Sequence, residues 1–317
     1  MRQRTLLALI LAALTAAAAW AAPAKSHEEK TLPAPSAGVA VEASFHDVEV
    51  SVKPGDTVRI TVDMEISASS EAKAEELLQE YAPTYEEKSG TLTIRSRRSQ
   101  TAAGNWGFLK MKGRISLEIP PGLALTAKTA SGDISLSGDL GKGTLVAEVA
   151  SGDVRVEGAA SSIRVEAASG DFTGKLTAPA ALASFDMASG DITLDGPVAE
   201  LKADTASGSV SVTGLTGPAA LEAASGDLSA SWIAAEPDME VTARTASGGI
   251  RLRFPEGTAV AGKAGSVSGT VTSDFPGVPG KRGNAFEFQG GPGAIRVEAS
   301  TASGDIKILK ASPAEKR

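Results

Sequence analysis

The tetrapeptide Ala-Ser-Gly-x recurs along more than half of this chain and constrains its fold more than any other feature. From Ser131 to Ser268, successive repeat serines stand 18 to 22 residues apart, and Ser303 follows after 35. This period is too short for helical-hairpin repeats and fits one coil of a β-solenoid. The Ser-Gly pairs are Ser131, Gly132; Ser151, Gly152; Ser169, Gly170; Ser189, Gly190; Ser207, Gly208; Ser225, Gly226; Ser247, Gly248; Ser303, Gly304; and a degenerate Ser268, Gly269.

Apolar residues flank each repeat serine at positions whose parity changes at the turn. They lie three and five residues after the serine, as in Ile134 and Leu136, and two and four residues before it, as in Val149 and Ala147. A strand alternates strictly between its two faces, so this change of parity indicates a bend at Ser-Gly. Glycine allows the backbone angles that such a corner needs.

We therefore predict a mainly β fold: a single-stranded, β-helix-like β-solenoid over residues 123–310, with 18–22 residues per coil. Residues 37–122 predict a small N-terminal α+β cap. In this cap, alternating segments form strands, and Ser70 caps a helix that ends before Pro83. Terminal caps of this kind protect the open ends of solenoids. The irregular stretch 272–293 interrupts the coils near the other end.

One stretch of the chain resembles a known family. Leu117-Glu118-Ile119-Pro120-Pro121-Gly122, followed by serial Thr/Ala-Ser-Gly-Asp-Ile/Val repeats, resembles the bacterial putative-adhesin family of β-strand-repeat proteins. This family, a domain of unknown function, is related to head domains of putative autotransporter adhesins. The resemblance covers residues 39–310. It implies a β-solenoid and an exported location, and it brings no catalytic residues.

The first residues predict export. Arg2 and Arg4 precede an apolar segment, and Ala19-Trp20-Ala21 is a cleavage signal, so residues 1–21 read as a signal peptide cleaved near Ala21. About 14 apolar residues are too few to span a bilayer. We expect a flexible leader over 22–36, a disordered tail over 311–317, no transmembrane segment in the mature chain, and a periplasmic or secreted location. Because the chain has no cysteine, it has neither a disulfide nor a lipid anchor on cysteine.

The charge balance bears on the partner. The predicted cleavage removes two arginines and no acids, which takes the net charge from −7 to −9. A strongly acidic chain is a poor nucleic-acid binder, because the phosphate backbone of nucleic acids repels it. We therefore expect no nucleic-acid partner. The expected partner is an envelope glycan, a lipid head group or a protein.

Stacking of the coils predicts two columns of carboxylates at the corner. One contains the turn aspartates Asp133, Asp153, Asp171 and Asp191, and the other contains Glu148, Glu166, Asp186, Asp204 and Glu222. In the first interpretation, each turn aspartate caps a nearby backbone amide and the second column is a solvated strand face. In the second, the stripe holds Ca²⁺ or a cationic partner, with the four turn aspartates as metal ligands. No other cofactor is predicted.

Enzymatic chemistry finds little support in the residue types. There is no cysteine, and the only histidines are His27 and His46, so a zinc site of the usual kind is excluded. We read His46 as a half-buried strand residue. The alternative function is a β-helix carbohydrate-active enzyme, a polysaccharide lyase or glycosidase, with carboxylates about 5 or 10 Å apart. Any stacked column gives such distances, so the sequence favours a non-enzymatic interaction or scaffold protein of the cell envelope.

A basic and aromatic segment between Arg95 and Arg114 is the candidate for recognition. Binding energy usually concentrates in a few aromatic and arginine side chains. The ligand-binding candidates are Arg95, Arg97, Arg98, Trp106 and Phe108. The alternative is a solvated hairpin loop in which Trp106 covers the end of the solenoid.

Overall fold

The structure is a computed structural model that describes residues 23–96 and 109–311. Its first third contains seven strands and one helix among the described residues. They are β1 (Ala24–Pro33), β2 (Gly38–Ala43), β3 (His46–Val52), β4 (Thr57–Ser67), α1 (Glu71–Glu80), β5 (Thr84–Lys88), β6 (Thr91–Ser96) and β7 (Lys110–Ile119).

The repeat region continues as strand pairs, one pair per coil. The paired strands are β8 (Ala124–Ser131) and β9 (Ile134–Asp139), β10 (Thr144–Ser151) and β11 (Val154–Ala159), β12 (Ser162–Ser169) and β13 (Phe172–Leu176), β14 (Leu182–Ser189) and β15 (Ile192–Val198), β16 (Leu201–Ser207) and β17 (Val210–Leu215), β18 (Ala219–Ser225) and β19 (Leu228–Trp232), and β20 (Glu240–Ser247) and β21 (Ile250–Phe254). The chain ends with β22 (Val260–Ser268), β23 (Val271–Ser273), β24 (Gly277–Pro279), β25 (Ala285–Phe288), β26 (Ile295–Ser303) and β27 (Ile306–Lys310).

These strands form two long sheets that enclose the core. Sheet A has the order β1-β4-β7-β3-β9-β11-β13-β15-β17-β19-β21-β27-β23, and sheet B the order β24-β25-β22-β26-β20-β18-β16-β14-β12-β10-β8-β2-β6-β5. In each coil the strand before Ser-Gly belongs to sheet B and the strand after it to sheet A, and successive coils pair in parallel. The predicted β-solenoid is confirmed.

The Ser-Gly corners stack in one column, as the change of parity predicts. Ser151 pairs in register with Ser131 below it and Ser169 above it. Gly152 adopts φ +145°, and a Cβ on it would lie 2.2 Å from the carbonyl oxygen of Gly132. Glycine is therefore required twice over, by the backbone angle and by the closeness of the next coil.

The predicted inward positions are buried. Ile134, Val154, Phe172 and Ile192, each three residues after a repeat serine, are at most 1% exposed. Phe172 packs against Phe185 of the opposite sheet with ring centroids 4.5 Å apart. Side chains of both sheets thus fill one continuous core along the rod.

The strands of residues 37–122 belong to the same two sheets as the repeat coils. β2 pairs with β8 and β3 with β9, so these two strands form the first coil. The helix is as predicted: the Ser70 hydroxyl accepts the amide of Lys73 at 3.2 Å, and the buried face carries Leu77. Within the described residues, no helix has the length and apolarity of a membrane span. The boundaries of the predicted domains stay a prediction.

The prediction of a flexible leader over 22–36 is wrong for most of that range. Residues Ala24–Pro33 form β1, the edge strand of sheet A, antiparallel to β4. Two of its residues face carboxylates on β4: Lys25 Nζ lies 3.3 Å from Glu65, and His27 Nδ1 lies 2.6 Å from Asp63. Composition suggested a leader because these complementary partners lie about 40 residues away in sequence.

The last coils do not stack in chain order. The pair β26–β27 lies between β20–β21 and β22–β23, so the final coil is inserted beneath the one that precedes it in sequence. β26 and β27 bury Ile295, Val297, Ile306 and Ile308, whereas β22 has Gly262 among its inward positions and β23 spans only Val271–Ser273. The more apolar pair, β26–β27, thus lies inside the stack of coils, and the less apolar pair, β22–β23, lies at its end.

Candidate functional site

The turn aspartates form a ladder along the corner. Each directs Oδ1 at the backbone amide of the equivalent residue on the next coil. The distances are 2.9 Å from Asp153 N to Asp133, 3.0 Å from Asp171 N to Asp153, 2.9 Å from Asp191 N to Asp171 and 2.8 Å from Ser209 N to Asp191. These contacts agree with the interpretation that turn aspartates cap backbone amides, and here the capped amide belongs to the neighbouring coil.

The aspartate ladder has two gaps, because Ser209 and Gly249 carry no carboxylate. Beyond the first gap, Asp227 accepts the amide of Gly249 at 2.7 Å. Beyond the second, Asp305 accepts both the amide and the hydroxyl of Thr270 at 2.8 Å. These bonds lower the pKa of Asp305, the amide of Thr270 contributing most. Gly249 is therefore a position at which the ladder lacks one rung.

The second predicted column lies on the outer face of sheet B, and we name it the acidic column. Neighbouring members pair in register. Cations neutralise its ends: Lys128 lies 2.7 Å from Glu148, and Arg244 lies 3.4 Å from Glu222. A shallow groove of about 700 Å³ runs beside Glu148, Glu166 and Asp186, with exposed alanines on its other side. The members of the column are Glu148, Glu166, Asp186, Asp204 and Glu222.

The described residues contain no group of three or more histidine, aspartate or glutamate side chains that is arranged to hold a metal ion. The predicted calcium ligands Asp133, Asp153, Asp171 and Asp191 each use Oδ1 for a backbone amide. Calcium binding by this column stays a prediction.

The predicted recognition segment is described only at its ends. Arg95 forms a bidentate ion pair with Glu42: Nε lies 2.9 Å from Oε2, and Nη2 lies 3.3 Å from Oε1. These hydrogen bonds raise the pKa of Arg95. Arg114 lies 3.1 Å from Glu49. These two arginines are thus matched by carboxylates on the first coil. The other candidates, Arg97, Arg98, Trp106 and Phe108, lie outside the described residues.

His46 occupies the corner of the first coil, where the register places it opposite Gly132 of the next coil. Its side chain is fully buried, not half-buried as predicted, because the ring packs over Gly113. Nε2 lies 3.2 Å from the hydroxyl of Ser96, which donates to the carbonyl of Tyr81 at 2.6 Å. Burial lowers the pKa of His46 to about 4. A neutral, buried histidine of this kind serves the packing of the corner.

The sequence reading missed a cationic cluster on the outer face of sheet A, which we name the basic face. It consists of Arg251 and Arg253 on β21 and Lys307 on β27, and Arg251 pairs in register with Lys307. In the described part of the chain, no carboxylate forms an ion pair with any of the three. The alternation Arg251-Leu252-Arg253, after a turn that lacks its aspartate, was the available signal.

Comparison with known proteins gives this architecture a family. Solved structures that resemble the chain include two putative adhesins and a putative lipid binding protein. A putative adhesin from Bacteroides fragilis NCTC 9343 is 14% identical, with 90% of this chain and 98% of that chain covered and a TM-score of 0.45. A putative adhesin from Parabacteroides distasonis ATCC 8503 is 12% identical (89% and 97% covered, TM-score 0.41). A putative lipid binding protein from the same strain is 12% identical (90% and 97% covered, TM-score 0.38).

No curated protein matches the chain significantly. The family comparison is decisive, because the model of Toastrack DUF4097 matches residues 40–309, from the first coil to the last strand. The chain belongs to the Toastrack DUF4097 family.

Proposed function

We propose that the chain is an exported, non-enzymatic interaction protein of the bacterial cell envelope, adhesin-like, in which a rigid solenoid presents recognition surfaces. The observation that carries this proposal is the continuous pairing of strands along both sheets. Thirteen strands at about 4.8 Å give a rod about 58 Å long. The aspartate ladder and the stacked glycines tie each corner to the next, so surface side chains keep fixed spacings.

Export rests on the predicted signal peptide of residues 1–21, which leads to the periplasm or to secretion. The partner in this proposal is an envelope glycan, a lipid head group or a protein. The segment between Arg95 and Arg114 stays the sequence-based candidate for recognition. It follows β6 of sheet B, which ends at Ser96, and precedes β7 of sheet A, which begins at Lys110. Both strands lie near the corner of the first coil, where His46 occupies the position that glycine has in the repeat coils.

The enzymatic alternative requires an acid and a base that face one substrate. The turn carboxylates instead accept backbone amides, as Asp153 does from Asp171 at 3.0 Å. The end members of the acidic column are held by Lys128 and Arg244. Because these carboxylates are engaged in hydrogen bonds and ion pairs within the chain, they favour a structural role over a catalytic one.

Affinity capture tests the proposal. The purified mature chain is immobilised, incubated with native envelope, and the retained material is identified by mass spectrometry and sugar analysis. A double variant, Arg97→Ala with Trp106→Ala, should retain less material at an unchanged melting temperature. A control variant, Arg164→Ala with Val278→Ala, removes an exposed arginine and an exposed apolar side chain on sheet B and should behave as wild type. Release of reducing or unsaturated sugar from envelope polysaccharides would instead support the enzymatic alternative.

A further inference from the structure

The basic face is unusual because Arg251 lacks the carboxylate partners that Arg155 has at the same position on another coil. Arg155 lies in the same column of sheet A as Arg251. Arg155 contacts Asp153 at 2.8 Å and Asp133 at 3.4 Å. In the coil of Arg251, the position of Asp153 is taken by Gly249. The gap in the aspartate ladder thus removes the carboxylate that would neutralise Arg251.

The neighbours of the basic face in the sheet are neutral. Ser229 precedes Arg251 in register, and Thr272 follows Lys307. Arg253 lies between Ser231 and Leu309.

The nearest carboxylates along the corner, Asp227 and Asp305, each accept a backbone amide. Lys307 contributes to the lowered pKa of Asp305 without forming an ion pair with it.

Like charges on neighbouring strands, about 4.8 Å apart, repel each other. Arg251 and Lys307 are placed in this way, in a chain whose net charge is −7. An anionic group lying over both cations removes that repulsion, and the Arg251 guanidinium can bind a carboxylate or phosphate with two parallel hydrogen bonds.

We infer that the basic face binds a linear anionic polysaccharide. Hydroxyl side chains continue the column of Arg251 along the rod, at Ser229, Ser211, Thr193 and Thr173. A polymer that lies along the column meets cations at one end and hydrogen-bonding hydroxyls beyond them, which suits a chain of charged sugars. A lipid surface would instead require large apolar side chains beside the cations. Of the three exposed large hydrophobics in the described residues, Val267 and Val278 lie on sheet B, and Ile233, two residues beyond Ser231, is the single one near the basic face.

This inference deepens the proposed function by naming the chemistry of the partner, and it rests on that proposal only for export. Binding is measured with the purified mature chain and polygalacturonate, a linear polymer with one carboxylate per sugar, so a failed envelope capture leaves the test intact. We expect saturable binding in 50 mM salt that weakens at least tenfold in 500 mM salt, because exposed charges are screened.

Two variants test the site. Arg251→Gln with Arg253→Gln and Lys307→Gln should weaken binding at least tenfold. Gly249→Asp should weaken it similarly while keeping the melting temperature, because the new carboxylate pairs with Arg251. A Cβ at Gly249 meets no atom closer than 3.4 Å, so the residue fits. The matched control, Arg164→Gln with Arg296→Gln and Lys202→Gln, removes the same charge from the outer face of sheet B and should bind as wild type.

Three results would overturn the inference. One is the absence of polygalacturonate binding by the wild-type chain. Another is an equal loss in the matched control, which would assign binding to overall charge. The third is binding to phosphatidylglycerol vesicles without binding to the polymer, which would make the basic face a membrane contact.

Discussion

Asp153 Oδ1 accepts the backbone amide of Asp171 at 3.0 Å, and this bond joins two residues that occupy the same position on successive coils. An amide that points along the corner has no strand partner, so the carboxylate replaces a missing hydrogen bond of the sheet. Because the acceptor belongs to the coil below, the bond stabilises stacking as well as the turn.

Removal of one rung from the aspartate ladder should destabilise the rod moderately. Asp171→Ala leaves the amide of Asp191 without its acceptor and should lower the free energy of unfolding by about 1 kcal/mol. Urea denaturation followed by circular dichroism measures the change. Asp171→Asn keeps an acceptor oxygen and should lose less, so equal losses in both variants would argue against the ladder.

The stacked glycines should tolerate no side chain. Gly152→Ala places a Cβ 2.2 Å from the carbonyl oxygen of Gly132 and should destabilise by about 3 kcal/mol or more. Gly122→Ala is the control: Gly122 also has a positive φ, +94°, but no atom lies within 4 Å of a Cβ built on it. It should lose only about 1 kcal/mol, from backbone strain. Similar melting temperatures for the two variants would contradict the close stacking of corners.

Neighbouring residues on one strand should respond oppositely to a charge. Ile192 is fully buried and Thr193 is exposed on the outer face of sheet A. Ile192→Asp should cost several kcal/mol, because an unpaired charge would be buried. Thr193→Asp should change the melting temperature little. A wild-type melting temperature for Ile192→Asp would contradict the assignment of inward positions.

Stability should fall in mild acid because of His46. The pKa of His46 is lowered from its ordinary 6.5 to about 4, so the unfolded chain binds a proton that the folded chain excludes below pH 6.5. This contribution is absent above pH 6.5 and grows as the pH falls, reaching about 2 kcal/mol of lost stability at pH 5. Denaturation at pH 7.5 and pH 5 measures it. His46→Gln cannot titrate, so an unchanged pH dependence in that variant would exclude His46 as the cause.

Features that depend on local alternation could be predicted from the sequence. The coil period, the corner at Ser-Gly and the burial of Ile192 follow from residues that are close in the chain. The strand over Ala24–Pro33 could not be predicted, because its complementary charges lie on β4. The basic face depends on the pairing of β21 with β27, and five other strands lie between these two in sequence. Such pairings are set by the packing of the whole rod.

The order of the last coils can be measured directly, because the chain has no cysteine of its own. Thr242 and Glu298 are paired in register on neighbouring strands, as are Glu298 and Lys263, whereas Thr242 and Lys263 lie two strands apart, about 10 Å. A disulfide requires Cα atoms within about 7 Å. Thr242→Cys with Glu298→Cys should therefore crosslink under mild oxidation, and Thr242→Cys with Lys263→Cys should stay reduced. The reverse result would show that the coils stack in chain order and would contradict a solenoid whose final coil is inserted.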